Sequence, residues 1–239
     1  MGLRRAALCV ACLASIAGCE QAGTSASLFP LDAGHRWTYR VITQAEDGTT
    51  ERETLVMRTL GAESDPAIEG GSAWRRRSDS GVDYWLRSDS TGIYRVASKS
   101  DLDPAPKPDK PLRFVLRAPF VRGTQWRAGT VPYLLMRRNE FPREVRYTHP
   151  DVPMNFQIEA EDDVVDVPAG HFDRCLRVKG TATLRLYADP VRGWRDMPLS
   201  TTEWYCAGVG LVRVERTEPA ERLAYLTGGT RTLELVSWQ

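Results

Sequence analysis

His171, Asp173 and Cys175 fall at alternate positions of the segment GHFDRC, the most enzyme-like constellation in the sequence. A cysteine nucleophile needs a base within hydrogen-bond reach and an oxyanion site. On a strand, residues two apart are separated by about 6.5 Å at their Cα atoms, so these side chains do not present themselves to one another. A half-exposed strand accounts for them better than catalysis. The acidic run Glu161, Asp162, Asp163, Asp166 offers calcium-type oxygen ligands but lacks the spacing and glycine of an EF-hand; a solvated hairpin tip is the simpler reading. His35, His149 and His171 are scattered, and neither HExxH nor GxSxG occurs. GVGLV at 208–212 lacks the third glycine and following helix of a nucleotide loop and reads as a glycine kink in a strand. These patterns predict no catalytic residue, no metal site and no cofactor.

The five cysteines divide by position. Cys9 and Cys12 spell CxxC, but both lie in the apolar run from Ala6 to Ala17, after Arg4 and Arg5. A basic start, a short apolar core and small residues make a secretory signal, and this core is well short of the roughly 20 residues a spanning helix needs. Ile16, Ala17, Gly18, Cys19 resembles the lipobox of bacterial lipoproteins, in which the cysteine is acylated and becomes the mature N-terminus. That resemblance implies a signal peptide over 1–18, lipidation at Cys19 with palmitate-type chains, and a flexible tether over 19–27. Two or more acyl chains hold a protein on a membrane essentially permanently. Glu20 follows the anchor, where Asp commonly retains Gram-negative lipoproteins at the inner membrane; the resemblance therefore implies the outer membrane, with the chain facing the periplasm.

In such an oxidising compartment Cys175 and Cys206 remain as an even pair, and a disulfide between them is the simplest account. Two buried free thiols are the alternative, because sequence does not supply the geometry.

Loss of 1–18 removes Arg4 and Arg5, leaving 30 basic against 31 acidic residues, interleaved. Nucleic-acid binding, which depends on a basic face, is not expected. The run Arg75, Arg76, Arg77 is expected on a solvated strand.

The elements that would position these residues are strands. NFQIEAED from Asn155 places Phe156, Ile158 and Ala160 on one face and Asn155, Gln157, Glu159 and Glu161 on the other. Arg-Ser-Asp-Ser occurs before Gly81 and again before Gly92, each copy marking a hairpin turn. Pro104, Pro106, Pro108 and Pro111 crowd the stretch 101–111, expected as a surface loop within one β domain over 28–239. Pro30, Gly34, Trp37 and Pro119, Gly123, Trp126 share one spacing, a faint echo suggesting two similar halves.

LFPLDAGHRWTYRV, VVDVPAGHFDRCLRV and TEWYCAGVGLVRVE together resemble three signatures of uncharacterised exported bacterial proteins, many of them lipoproteins: FPLxxGxxWxY, VPAGxFxxCLxV and GVGLV. Cys206 stands where that pattern more often has a small residue, which again suggests pairing with Cys175. The resemblance implies an all-β, curved antiparallel sheet, a half-barrel or clam-like meander, comparable at fold level with the LolA and LolB carriers. The expected role is a lipid-anchored, non-catalytic envelope module binding a lipid or other apolar ligand in an open groove lined by tryptophan, leucine and phenylalanine. A scaffolding subunit with an envelope-protein partner would show a filled core and an exposed apolar edge instead. An enzyme would show a cleft with convergent titratable groups.

Overall fold

In the computed structural model, residues 27–65, 68, 70–137, 151–189, 191–221, 223 and 226–239 are described. The expected signal peptide, Cys19 and the expected tether up to residue 26 lie outside them. Burial alternates along the strands as the two-residue period requires: in NFQIEAED, Ile158 is fully buried while Asn155, Gln157, Glu159 and Glu161 are exposed.

The strands are β1 Arg36–Ala45, β2 Thr50–Glu63, β3 Ala73–Ser78, β4 Val82–Asp89, β5 Gly92–Ser100, β6 Lys107–Arg117, β7 Gln125–Thr130, β8 Met136–Arg137, β9 Val152–Val167, β10 Gly170–Asp189, β11 Gly193–Cys206, β12 Gly210–Glu218, β13 Leu226–Thr227 and β14 Gly229–Trp238. No helix occurs among the described residues. Twelve strands form one antiparallel sheet in the order β6-β5-β4-β3-β2-β1-β14-β12-β11-β10-β9-β7, and β8 pairs with β13 apart from it. Both Arg-Ser-Asp-Ser copies close hairpins, β3–β4 and β4–β5.

This order is two six-stranded meanders laid side by side, β1 to β6 and then β7, β9 to β12 and β14. The echoed motif opens each of them. Gly34 and Gly123 take positive φ values of 97° and 93°, and Trp37 and Trp126 are the second residues of β1 and β7. The meanders join at β1 and β14, and the sheet curls until it is nearly closed, with β6 and β7 as its free edges.

The stretch expected as a loop over 101–111 is one only to Pro106, because β6 begins at Lys107. The prolines are tolerated there because β6 is an edge strand, whose missing N–H groups break no second ladder. Opposite the single residue Val96, between the pairs Arg95↔Arg113 and Ala97↔Pro108, β6 bulges over residues 109–112.

One end of the curl is filled by Leu135, Val152, Met154, Leu184, Met197, Leu199 and Leu223. Glu218 and Arg216 are buried there as a pair, and one Glu218 oxygen accepts the backbone N–H groups of Tyr133, Leu134 and Leu135 at 3.1, 2.9 and 2.9 Å. The other end is plugged by Leu28 to Leu31, held where Gly208 N–H donates to the Ser27 carbonyl. GVGLV is the β11–β12 hairpin turn and not a kink within a strand: Val209 N–H donates to Cys206 O, with Gly208 and Gly210 at positive φ.

Candidate functional site

Between the two filled ends lies a cavity of about 500 Å³, lined by residues from eleven of the twelve strands of the sheet. Its apolar wall includes Leu55, Met57, Phe114, Leu211, Val214 and Leu233. The polar groups facing it are Arg76, Arg95, Arg113, Arg231, Glu203, Tyr39, Tyr84, Tyr205, Ser78 and Ser80. No tryptophan lines it, contrary to the expected Trp-rich groove with few polar groups. Trp37 is instead a structural post, its indole N–H donating to Val209 O at 2.7 Å, and Trp126 stacks on Phe156.

Arg76 is the deepest cation. Alternation along β3 splits the arginine run: Arg75 and Arg77 both pair with the buried Asp83, at 3.0 and 2.7 Å, while Arg76 turns the other way, into the interior. The run is therefore not a solvated strand, because three consecutive residues on a strand cannot share a face. The Arg76 guanidinium lies 4.1 Å from the Phe29 ring centroid and 4.3 Å from that of Trp37, and one nitrogen donates to Pro30 O at 2.8 Å. Its Nε has no protein partner, and no carboxylate among the described residues pairs with it. Burial draws its pKa down to about 10, so it remains a cation at neutral pH.

Glu203, on β11, faces the same space and accepts the Tyr205 hydroxyl at 2.6 Å and the Thr201 hydroxyl at 3.4 Å. Burial raises its pKa, opposed by those two bonds and by the charges of Arg113 and Arg216. Tyr39 donates to Leu211 O at 2.9 Å. Arg95 is held bidentately by Asp109 at 2.6 and 2.7 Å, and Arg231 pairs with Glu53 at 3.1 Å. Arg113 has no such hydrogen-bonded partner: burial and then the neighbouring Arg95 lower its pKa, opposed through space by Asp109, Glu203 and Tyr84.

A second hollow of about 510 Å³ follows the free edges, between the β6 bulge at Asp109, Lys110, Pro111 and Leu112 and the opposing Arg127, Gly129, Val131 and Pro153. Arg95, Arg113 and Ala128 line both spaces, so the edge groove adjoins the interior cavity.

The residues singled out by chemistry in the sequence lie elsewhere. Cys175 and Cys206 are directly opposed on β10 and β11, 4.1 Å apart at Cα, and form a disulfide buried away from solvent. Arg174 takes a positive φ of 53°, and the β9–β10 register shifts between Phe172 and Cys175. The alternation of His171, Asp173 and Cys175 is thereby broken: His171 bonds Asp166 at 2.7 Å on the surface, and Asp173 is exposed. Asp163 is occupied by Arg177 and by the Trp204 indole, at 3.0 and 2.9 Å, and Glu161 accepts the Arg122 backbone N–H. No cluster of three metal-ligating side chains exists among the described residues.

Arg76, Arg113 and Glu203 carry the site, and sequence reasoning did not pick them out. The signal for Arg76 was available, since one of three consecutive strand arginines must face inward.

No family model matches the sequence, and no curated protein matches it. Two solved structures align along most of its length. One, a candidate lipoprotein from Parabacteroides distasonis, has 14% identity and a TM-score of 0.39 over 90% of this chain and 99% of its own. The other, a candidate exported protein with a YmcC-like fold from Bacteroides fragilis, has 17% identity and a TM-score of 0.39 over the same shares.

Proposed function

We propose that the chain is an exported, lipid-anchored, non-catalytic binding protein that holds one small, largely apolar molecule inside its curved sheet. The observation that carries this reading is the 500 Å³ cavity enclosed by strands of both meanders. Its volume falls within the roughly 300–1,000 Å³ of small-molecule sites, and its lining sets an apolar wall beside a cluster of converging polar groups. A scaffolding subunit has no use for a hollow interior, since unfilled space forfeits packing energy.

Glu203 beside Tyr205 in the cavity is the arrangement closest to acid–base chemistry. The Tyr205 and Thr201 hydroxyls already engage its carboxylate, and the lining serines Ser78 and Ser80 bond each other at 2.6 Å. The group is thereby placed to hold and orient a ligand.

The uncharged dye N-phenyl-1-naphthylamine tests the cavity. The protein should enhance its fluorescence, and Val214→Trp, which projects a larger ring into the space, should abolish the enhancement. Equal enhancement by both proteins would remove the cavity as the binding site. Anchoring is tested separately: the chain should incorporate labelled palmitate, and Cys19→Ser should lose the label and leave the membrane fraction. Unchanged membrane retention of that variant would refute the anchor.

A further inference from the structure

The charge of the cavity says more about its occupant than its shape does. Four arginines line it, against one carboxylate, Glu203. Asp109 and Glu53 pair with Arg95 and Arg231 from beside the cavity, Asp109 and Glu203 act on Arg113 only through space, and the four arginines outnumber these three carboxylates by one. Arg76 is buried and Arg113 half-buried, and a charge withdrawn from water is ordinarily paired or bound to something.

The two cations differ in what holds them. Arg76 has the Pro30 carbonyl and two aromatic faces, and part of its role is to fasten the Leu28–Leu31 plug. Arg113 makes no hydrogen bond, ion pair or ring contact among the described residues. It stands where the edge groove meets the cavity. A guanidinium there presents a planar fork of donors suited to a carboxylate or phosphate.

Resting on the binding role proposed above, we infer that the occupant is a single-chain amphiphile with an anionic head, the head on Arg113 in the field of Arg76 and the tail against Leu55, Met57, Phe114, Leu211 and Leu233. Space agrees with this. A cavity of about 500 Å³ lies in the lower half of the roughly 300–1,000 Å³ range of small-molecule sites, a size that suits one chain and its head. The edge groove gives such a molecule a side approach, along which its tail need not pass the plugged end.

The test is native mass spectrometry of the whole lipidated chain in non-ionic detergent, titrated with dodecanoate, dodecyl phosphate and dodecan-1-ol. At least one of the two acids should bind about tenfold more tightly than the alcohol, as a charge-assisted bidentate contact implies; which acid wins identifies the head. Arg113→Gln should bring that acid to the level of the alcohol and leave the alcohol unchanged. Both acids binding no better than the alcohol to the wild-type chain would overturn the inference while leaving the binding role intact. Failure of all three to bind would overturn the binding role itself, and the wild-type comparison decides even if the variant does not fold.

Discussion

The two meanders meet at two seams. At β1 and β14 the strands are laddered through nine residue pairs, from Trp37↔Trp238 to Ala45↔Gly229, and Leu235 is fully buried beneath them. At β6 and β7 no ladder forms among the described residues, and the facing strands leave a groove. The difference lies in backbone donors. β1 and β14 contain no proline, whereas β6 carries Pro108 and Pro111 and a four-residue bulge that turns it away from a neighbour. The lesson is that an incomplete barrel needs no special architecture: two prolines and a bulge on one strand keep the circle open, and the open side is where Arg113 stands.

The largest expected effect comes from the closed seam. Leu235→Ala should cost about 2–5 kcal/mol, whereas Leu112→Ala on the open seam, 46% exposed, should stay within about 0.5 kcal/mol. Urea unfolding of both variants measures this, and similar losses would mean that the two seams are equally packed. The disulfide comes next. It closes a loop of 31 residues, so the double variant Cys175→Ala, Cys206→Ala should lose about 3–4 kcal/mol in the chain-entropy account. The binding proposed for the cavity should survive at a temperature where that variant remains folded.

The smallest effect is electrostatic. Burial raises the pKa of Glu203, so the folded chain holds that proton more tightly than the unfolded chain does. Glu203 therefore contributes a stability loss that grows as pH rises from the unfolded carboxylate range, about 4.3, through its raised folded value, and that is absent below both. Glu203→Gln should flatten the dependence of unfolding free energy on pH across that window. A wild-type profile no steeper than the variant's would show that Arg113 and Arg216 already neutralise the group.

How much of this was legible in the sequence depends on distance along the chain. Period-two alternation in NFQIEAED and the turn chemistry of the two Arg-Ser-Asp-Ser copies are local, and both appear as read. The cysteine pair was legible because the expected export would leave two thiols with few other fates. The seam joining Trp37 to Trp238 was not, since alternation names a face without naming the partner strand. Composition favours solvent for a run of arginines and so hides Arg76, although placement on a strand requires one of the three to turn inward. The proline stretch misled similarly: proline argues against a central strand, and the edge strand is the exception that this chain uses.

The carboxylate of Glu218 acts as a substitute for a missing strand. Tyr133, Leu134 and Leu135 belong to no ladder, yet all three of their amide hydrogens are directed at one oxygen inside the packed end of the molecule. In deuterated solvent these amides should therefore exchange on the slow timescale of interior strands, although the segment has the appearance of a loop. A single side chain thus ties the local opening of this stretch to unfolding of the whole end.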